Sequence, residues 1–283
     1  RTYASRPVLR NMVLRPQRLL TSRGELLFKL RQHDKAVPLL NQAFARDRTN
    51  ATLAELLAES LAASKRFKEA EAFIVDLAAQ PSLQVKLPAL AARTAVASGD
   101  KTMPMRIWRA CRQAKRDSGN LAVALADAAE KLDAPEQGSE ILQSLMDSKP
   151  GDVAVTKHLV ALYASQGKGD KVLASLGKLL RADPSKDDIV AGQLAILGKS
   201  GVSKDFARKF AGKIGSAPKD QQASLHYLTG RLGQIRGDES LPLTQYVKAL
   251  EADTTFLPPY AQLAELYGKT THKGKPTGQS KHF

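Results

Sequence analysis

Three prolines, Pro150, Pro184 and Pro218, follow one another at intervals of 34 residues. A chain that repeats at a fixed period of this size is constrained to stack copies of one small unit, because no single unit can bury its own apolar face. Extended backwards, the same frame places unit starts near residues 119, 85, 51 and 17, and other columns then align. On the second helix of each unit the pairs Ala36/Leu40, Ala70/Ile74, Gly138/Leu142, Val172/Leu176 and Phe206/Phe210 lie four residues apart, followed three residues on by Ala43, Leu77, Leu145 and Leu179. On the first helix a crowded position reads Gly24, Ala58, Ala92, Ala126, Val160 and Leu194, with Leu27, Leu61, Ala95, Ala129, Tyr163 and Leu197 three residues further. Spacings of three and four are those of one helix face.

The apolar residues are largely Ala and Leu, with only 8 Phe, 6 Tyr and 1 Trp. Those residues favour helix over strand. Gly99, Gly167, Gly201 and Gly237 fall at the turn between the two helices of a unit, where glycine takes positive φ without a Cβ penalty. Asp100 and Asp238 follow as candidate caps. Pro104 and Pro242 come four residues after those caps, in a first turn that tolerates a missing N–H. Pro38 lies deeper in its helix and is expected to kink it or delay its start. A two-residue insertion is expected in the loop after Pro218, since Gly237 and Ala249 fit the frame only after that shift.

The pattern resembles the tetratricopeptide repeat family over residues 17–268, most clearly in Tyr246–Tyr267, YVKALEADTTFLPPYAQLAELY. The resemblance implies an all-α fold: a right-handed superhelical solenoid of antiparallel helix pairs, seven pairs and an eighth first helix. Outside that span, the composition marks residues 1–16 as a basic N-terminal arm or targeting-segment remnant and residues 269–283 as a flexible basic tail. The sequence departs from the family at the Trp-like fourth position, which reads Leu20, Ala54, Pro88, Ala122, Thr156, Val190 and Tyr260.

The resemblance also implies a non-enzymatic scaffold or adaptor, a subunit or assembly factor of a larger complex, binding peptide segments or other subunits along its concave face. First-helix residues carried onto that face are Glu25, Lys29, Glu55, Glu59, Arg93, Asp127, Lys131, Lys157, His158, Gln222 and Gln262. Their mixed signs exclude a uniformly basic track for nucleic acid. The carboxylate clamp of the family's co-chaperones needs Lys and Asn where this chain has Thr21 and Glu25, which argues against a heat-shock adaptor. The eighth first helix presents Leu257, Tyr260, Leu263, Leu266 and Tyr267 as a terminal cap or docking surface.

No catalytic, cofactor or metal set is expected. His33, His158, His226, His272 and His282 do not pair at ligand spacing, and HExxH, GxSxG and GxxxxGK[ST] are absent. Cys111, the single cysteine, excludes an internal disulfide and a cysteine zinc site, and falls in the buried column of Ala43 and Leu77. Trp108 takes an aromatic packing position. No run of 18 apolar residues exists.

The net charge of +15 is concentrated at the ends. Residues 1–23 carry Arg1, Arg6, Arg10, Arg15, Arg18 and Arg23, residues 269–283 carry Lys269, Lys273, Lys275 and Lys281, and neither stretch holds an acid. Removing those ten charges leaves +5 for a body that contains all 28 acidic residues. The Arg-rich, hydroxyl-containing first stretch has the composition of a mitochondrial targeting segment or its remnant, and an opening without Met agrees with processing. The alternative address is the cytoplasm or another soluble compartment. The alternative function is an RNA- or ribosome-associated factor whose basic arms also suit an anionic surface.

Overall fold

The computed structural model describes residues 6–199 and 205–273, with side chains over 18–197 and 205–268. The described residues form no strand, and fifteen α-helices succeed one another along them, as the Ala/Leu bias requires. They run in pairs: α1 (Arg6–Lys29) with α2 (His33–Arg46), α3 (Ala51–Ala63) with α4 (Phe67–Leu77), and α5 (Leu87–Ser98) with α6 (Met103–Gln113). Then come α7 (Gly119–Lys131) with α8 (Pro135–Ser148), α9 (Val153–Ser165) with α10 (Gly169–Ala182), α11 (Asp187–Lys199) with α12 (Phe206–Ala211), and α13 (Lys219–Ile235) with α14 (Leu241–Ala252), followed by α15 (Pro258–Lys273).

Contacts divide the chain after Leu145, inside α8, into two compact units. In the first, α1 packs on α2 and α3, α3 on α4 and α5, α5 on α6 and α7, and α4 on α6. First helices therefore stack on first helices and second on second, the arrangement of a repeat solenoid. In the second unit α9 packs on α10 and α11, α13 on α10, α11, α12 and α14, and α14 on α15.

The 34-residue frame has a physical counterpart at three levels. In the core, Ala43, Leu77, Cys111, Leu145 and Leu179 are all fully buried, and Ala249 joins them after the two-residue shift. At the turns inside six of the seven pairs, positive φ recurs at Arg31 (58°), Lys65 (55°), Gly99 (67°), Asp133 (55°), Gly167 (68°) and Gly237 (74°). At the start of first helices, Asn50, Ser118 and Asp152 each accept a backbone N–H three residues on, at 3.1, 3.3 and 3.1 Å. Such caps satisfy a donor that the helix itself leaves free.

Several local expectations are corrected. Pro38 does not delay α2, which runs from His33 to Arg46 with the proline inside it. Its missing N–H leaves the carbonyl of Asp34 without its helical donor, in a first turn that is exposed to solvent. The insertion after Pro218 is not loop: Pro218 itself precedes α13, which extends to 17 residues where α11 has 13. Ala92 is only half-buried, although Ala91 and Ala95 beside it are buried in register with Leu57 and Leu61 of α3 and Leu125 and Ala129 of α7. Asp100 caps one step early, accepting from the Thr102 N–H at 2.8 Å, and α6 begins at Met103 with Pro104 second. Asp238 does reach the first residue of its helix, accepting from the Leu241 N–H at 3.0 Å. Helix α1 is described over Arg6–Lys29, so residues 6–16 are helical; Leu, Arg and Met are good helix formers. The last helix, α15, is described over Pro258–Lys273.

Neighbouring pairs are also tied by charge. Lys86 meets Glu55 at 3.0 Å, Arg93 meets Glu59 at 2.6 Å, Arg106 meets Glu71 at 2.9 Å, and Arg208 meets Asp238 at 2.7 Å. Arg106 also holds Asp100, whose pKa falls to about 2 under that guanidinium and the Thr102 bonds.

Candidate protein-binding groove

Residues 59, 93 and 127 are one frame apart, so Glu59, Arg93 and Asp127 occupy the same position on α3, α5 and α7. Because first helices stack on first helices, these three side chains form a row across the sequence repeats. Two cavities open beside that row. One, of about 340 Å³, is lined by Ala58, Glu59, Ala62, Ala63, Leu90, Arg93, Thr94 and Ala97. The other, of about 350 Å³, is lined by Ala92, Arg93, Val96, Ala97, Ala124, Asp127, Ala128 and Lys131.

The cavities exist because the lining is short. Alanine projects one carbon, so helices packed through their crowded positions leave space at the outer rim of each seam. The two cavities share Arg93 and Ala97, and α5 is therefore the ridge between them. Arg93 gives Nη1 to Glu59 at 2.6 Å across the first cavity. That pair is half-exposed, and pairs of this kind contribute ~0–1 kcal/mol. Among the described residues Asp127 has no hydrogen bond or ion pair.

The remaining residues carried onto this face have different surroundings. Glu55 is held by Lys86 at the start of α5. Glu25 and Lys29 lie on α1, half-buried and exposed, outside both cavities. Lys157 and His158 are exposed on α9, with His158 Nδ1 3.0 Å from the Ala154 carbonyl. Gln222 is turned to its own loop, donating to the Ala217 carbonyl at 2.9 Å, and Gln262 accepts from Arg231 at 2.6 Å. The structure thus brings Glu59, Arg93, Asp127 and Lys131 together. The alanines beside them, which form most of the lining, give no signal in a search for charged side chains.

On the last helix, Leu257, Tyr260 and Tyr267 are exposed and Leu263 and Leu266 half-buried, with the Tyr260 hydroxyl donating to the Thr254 carbonyl at 2.9 Å. Of the basic residues named at the ends, Arg18 is exposed on α1, whereas the side chains of Arg6, Arg10, Arg15, Lys269, Lys273 and Lys275 lie outside the described residues.

Outside the groove several aromatic and polar side chains are buried and hydrogen-bonded. Trp108 is buried and its indole N–H donates to Ser144 Oγ at 2.8 Å. Cys111 is buried, and burial pushes its thiol to about 11, so it stays protonated and unreactive at neutral pH. In the second unit the Tyr227 hydroxyl donates to Asp187 at 2.6 Å, the Tyr246 hydroxyl to Gln234 at 3.0 Å, and His226 Nδ1 lies 2.7 Å from Gln245 Oε1. Burial first, then the Asp187 carboxylate, raises the Tyr227 pKa far above the usual phenol value. No described helix is long and apolar enough to cross a membrane.

Residues 27–99 match the tetratricopeptide repeat family, the stretch from late α1 to the glycine that ends α5. No curated protein matches the chain. Among solved structures, the crystal structure of yeast Tom70 aligns with 91% of this chain and 66% of its own, at 13% identity and a TM-score of 0.26. This chain thus spans just under two thirds of that structure's length. With the register of turns, caps and core columns, the family match identifies residues 27–99 as tetratricopeptide repeats within an all-helical repeat fold.

Proposed function

We propose that this chain is a non-enzymatic protein-binding scaffold, a subunit or assembly factor that holds other proteins against the α3–α5–α7 face. The observation that carries the reading is the pair of adjoining apolar cavities in the repeat segment, open to solvent and rimmed by charge. Sites of that kind bind apolar side chains and use a few polar groups to orient them. Tetratricopeptide repeats are generally a protein-interaction fold, which supports the same assignment. Residence in the mitochondrion belongs to the proposal on the composition of residues 1–23 alone, and fusing those residues to a fluorescent protein tests it.

The scaffold reading is tested by filling the groove. Ala97 is exposed and lines both cavities, so Ala97→Trp blocks them without entering the core. Crosslinked complexes isolated from the native source should lose their specific partners in this variant while its helical circular dichroism is retained. Recovery of the same partners in the same amounts would remove the groove from the function.

A further inference from the structure

We infer that the exposed face of α15 pairs with the same face of a second copy of this chain, the two helices antiparallel about a two-fold axis near Gln262. The inference is independent of the groove and of whatever the groove holds.

The repeat frame shows what this face is built to meet. After the two-residue shift, Tyr260, Ala264 and Tyr267 continue three first-helix columns, which hold Ala54, Ala58 and Leu61 on α3 and Thr156, Val160 and Tyr163 on α9. Those six residues are at most 4% exposed. The middle column lies against the second helix of its own unit. A Cβ on Gly24 of α1 would fall 2.8 Å from the Leu40 side chain of α2, and a Cβ on Gly230 of α13 would fall 2.6 Å from the Tyr246 ring of α14. On α15 the same columns face solvent: Tyr260 is 48% and Tyr267 56% exposed, and Ala264 is exposed between them. Helix α15 is described through Lys273, past Thr271, which stands one frame after the left-handed turn at Gly237. It therefore does not turn back at the position where the other pairs do.

Spacing then selects the occupant. Leu257, 67% exposed just before the helix, extends the face to a stripe whose members lie three, four and three residues apart. That is the interval at which two helices pair along a seam. The stripe is symmetric about residue 262. An antiparallel copy therefore sets Tyr260 over Ala264 of the second copy and Leu257 beside its Tyr267, and the two-fold axis repeats both contacts. Large meets small, as Tyr246 meets Gly230 inside the chain. Self-match of this kind is what an isologous interface requires. A parallel copy would oppose Tyr260 to Tyr260 and Ala264 to Ala264, bulk against bulk and gap against gap. Four side chains from each copy make a small contact, below the ~1,200 Å² at which standard interfaces begin, so the pairing is weak and depends on concentration.

The test is sedimentation equilibrium of the full chain from about 1 to 200 µM, where a contact of this size dissociates measurably. The unaltered chain should show a reversible monomer–dimer equilibrium. Tyr260→Ala leaves alanine over alanine and Ala264→Tyr sets tyrosine over tyrosine, so each variant alone should dimerise at least about tenfold more weakly. Mixed in equal amounts, the two variants should recover dimer to within about threefold of the unaltered chain, because a mixed pair restores tyrosine over alanine at both contacts. Both positions are exposed, so helical circular dichroism should be retained throughout. An unaltered chain that stays monomeric across the range overturns the inference and leaves the stripe to a helix of another protein. Single variants that pair as tightly as the unaltered chain, or a mixture no tighter than its components, overturn it as well.

Discussion

The two units of this chain share one repeat frame and satisfy it with different chemistry. The first is mainly apolar inside, its buried columns largely Ala and Leu with the Trp108–Ser144 bond among them, and its ion pairs run over the outside between neighbouring repeats. The second carries hydrogen-bonded side chains through its interior, with Tyr227 on Asp187, Tyr246 on Gln234, His226 on Gln245, and Arg231 on Gln262. The contrast shows that stacking is a constraint on volume and register, not on residue type. Small side chains meet it by bringing helices close and leave cavities at the rim. Large polar aromatics meet it by filling the seam, and each then needs a partner for its hydroxyl.

The sharpest way to break that contrast is Trp108→Ala in the first unit. Trp108 is the largest fully packed side chain there, and its loss should cost about 3–5 kcal/mol in denaturant unfolding. Trp108→Phe, which gives up the Ser144 bond but keeps most of the volume, should cost far less. Equal costs would mean that the first unit, too, depends on its buried polar bond. In the second unit Tyr227→Phe removes a hydroxyl that donates to a carboxylate, and a loss of about 1.5–3 kcal/mol is expected. A loss below about 0.5 kcal/mol would leave the two interiors energetically alike.

A third test asks whether the frame itself is felt equally in both. Gly167→Ala places a Cβ on a turn residue at φ 68° and should destabilise by about 1 kcal/mol, whereas Asp133→Gly, one frame earlier, should be neutral or stabilising. The smallest effect is pH dependence. His226 is half-buried and its pKa is lowered by that burial, with Lys248 adding to the lowering and Gln245 and Glu251 opposing it. Its neutral form is therefore the one the fold prefers. The stability it contributes is complete above the ordinary histidine value of 6.5 and is lost as pH falls through the lower folded-state value. His226→Phe should flatten part of the fall in Tm between about pH 7 and 5; an unchanged slope would take the His226–Gln245 pair out of the comparison.

Much of the fold was legible because the turn, core and packing columns are written in residue type. Gly99, Gly167 and Gly237 announce their left-handed turns. Arg31, Lys65 and Asp133 make the same turn and announce nothing, since the conformation there is imposed by the stacked helices on residues that do not favour it. The frame finds them; composition does not. Ala92 was misplaced because residue type does not distinguish it from Ala58 and Ala126 of the same column, which are buried where Ala92 is only half-buried. The site was less legible. Glu59, Arg93, Asp127 and Lys131 were found by carrying the frame onto the first helices, but Gln222 and Gln262, found the same way, bind their own surroundings. The polar interior of the second unit was missed, because Tyr227 and Asp187 are 40 residues apart and only packed coordinates join them.

The ridge formed by Arg93 and Ala97 has a thermodynamic corollary. Two recesses that share a wall cannot be titrated as independent half-sites: whatever seats itself in one fixes the rotamer of the guanidinium that bounds the other. Fragments cut from a longer ligand should therefore show affinities whose product misjudges that of the whole, and the discrepancy should shrink when the shared side chain is shortened to alanine.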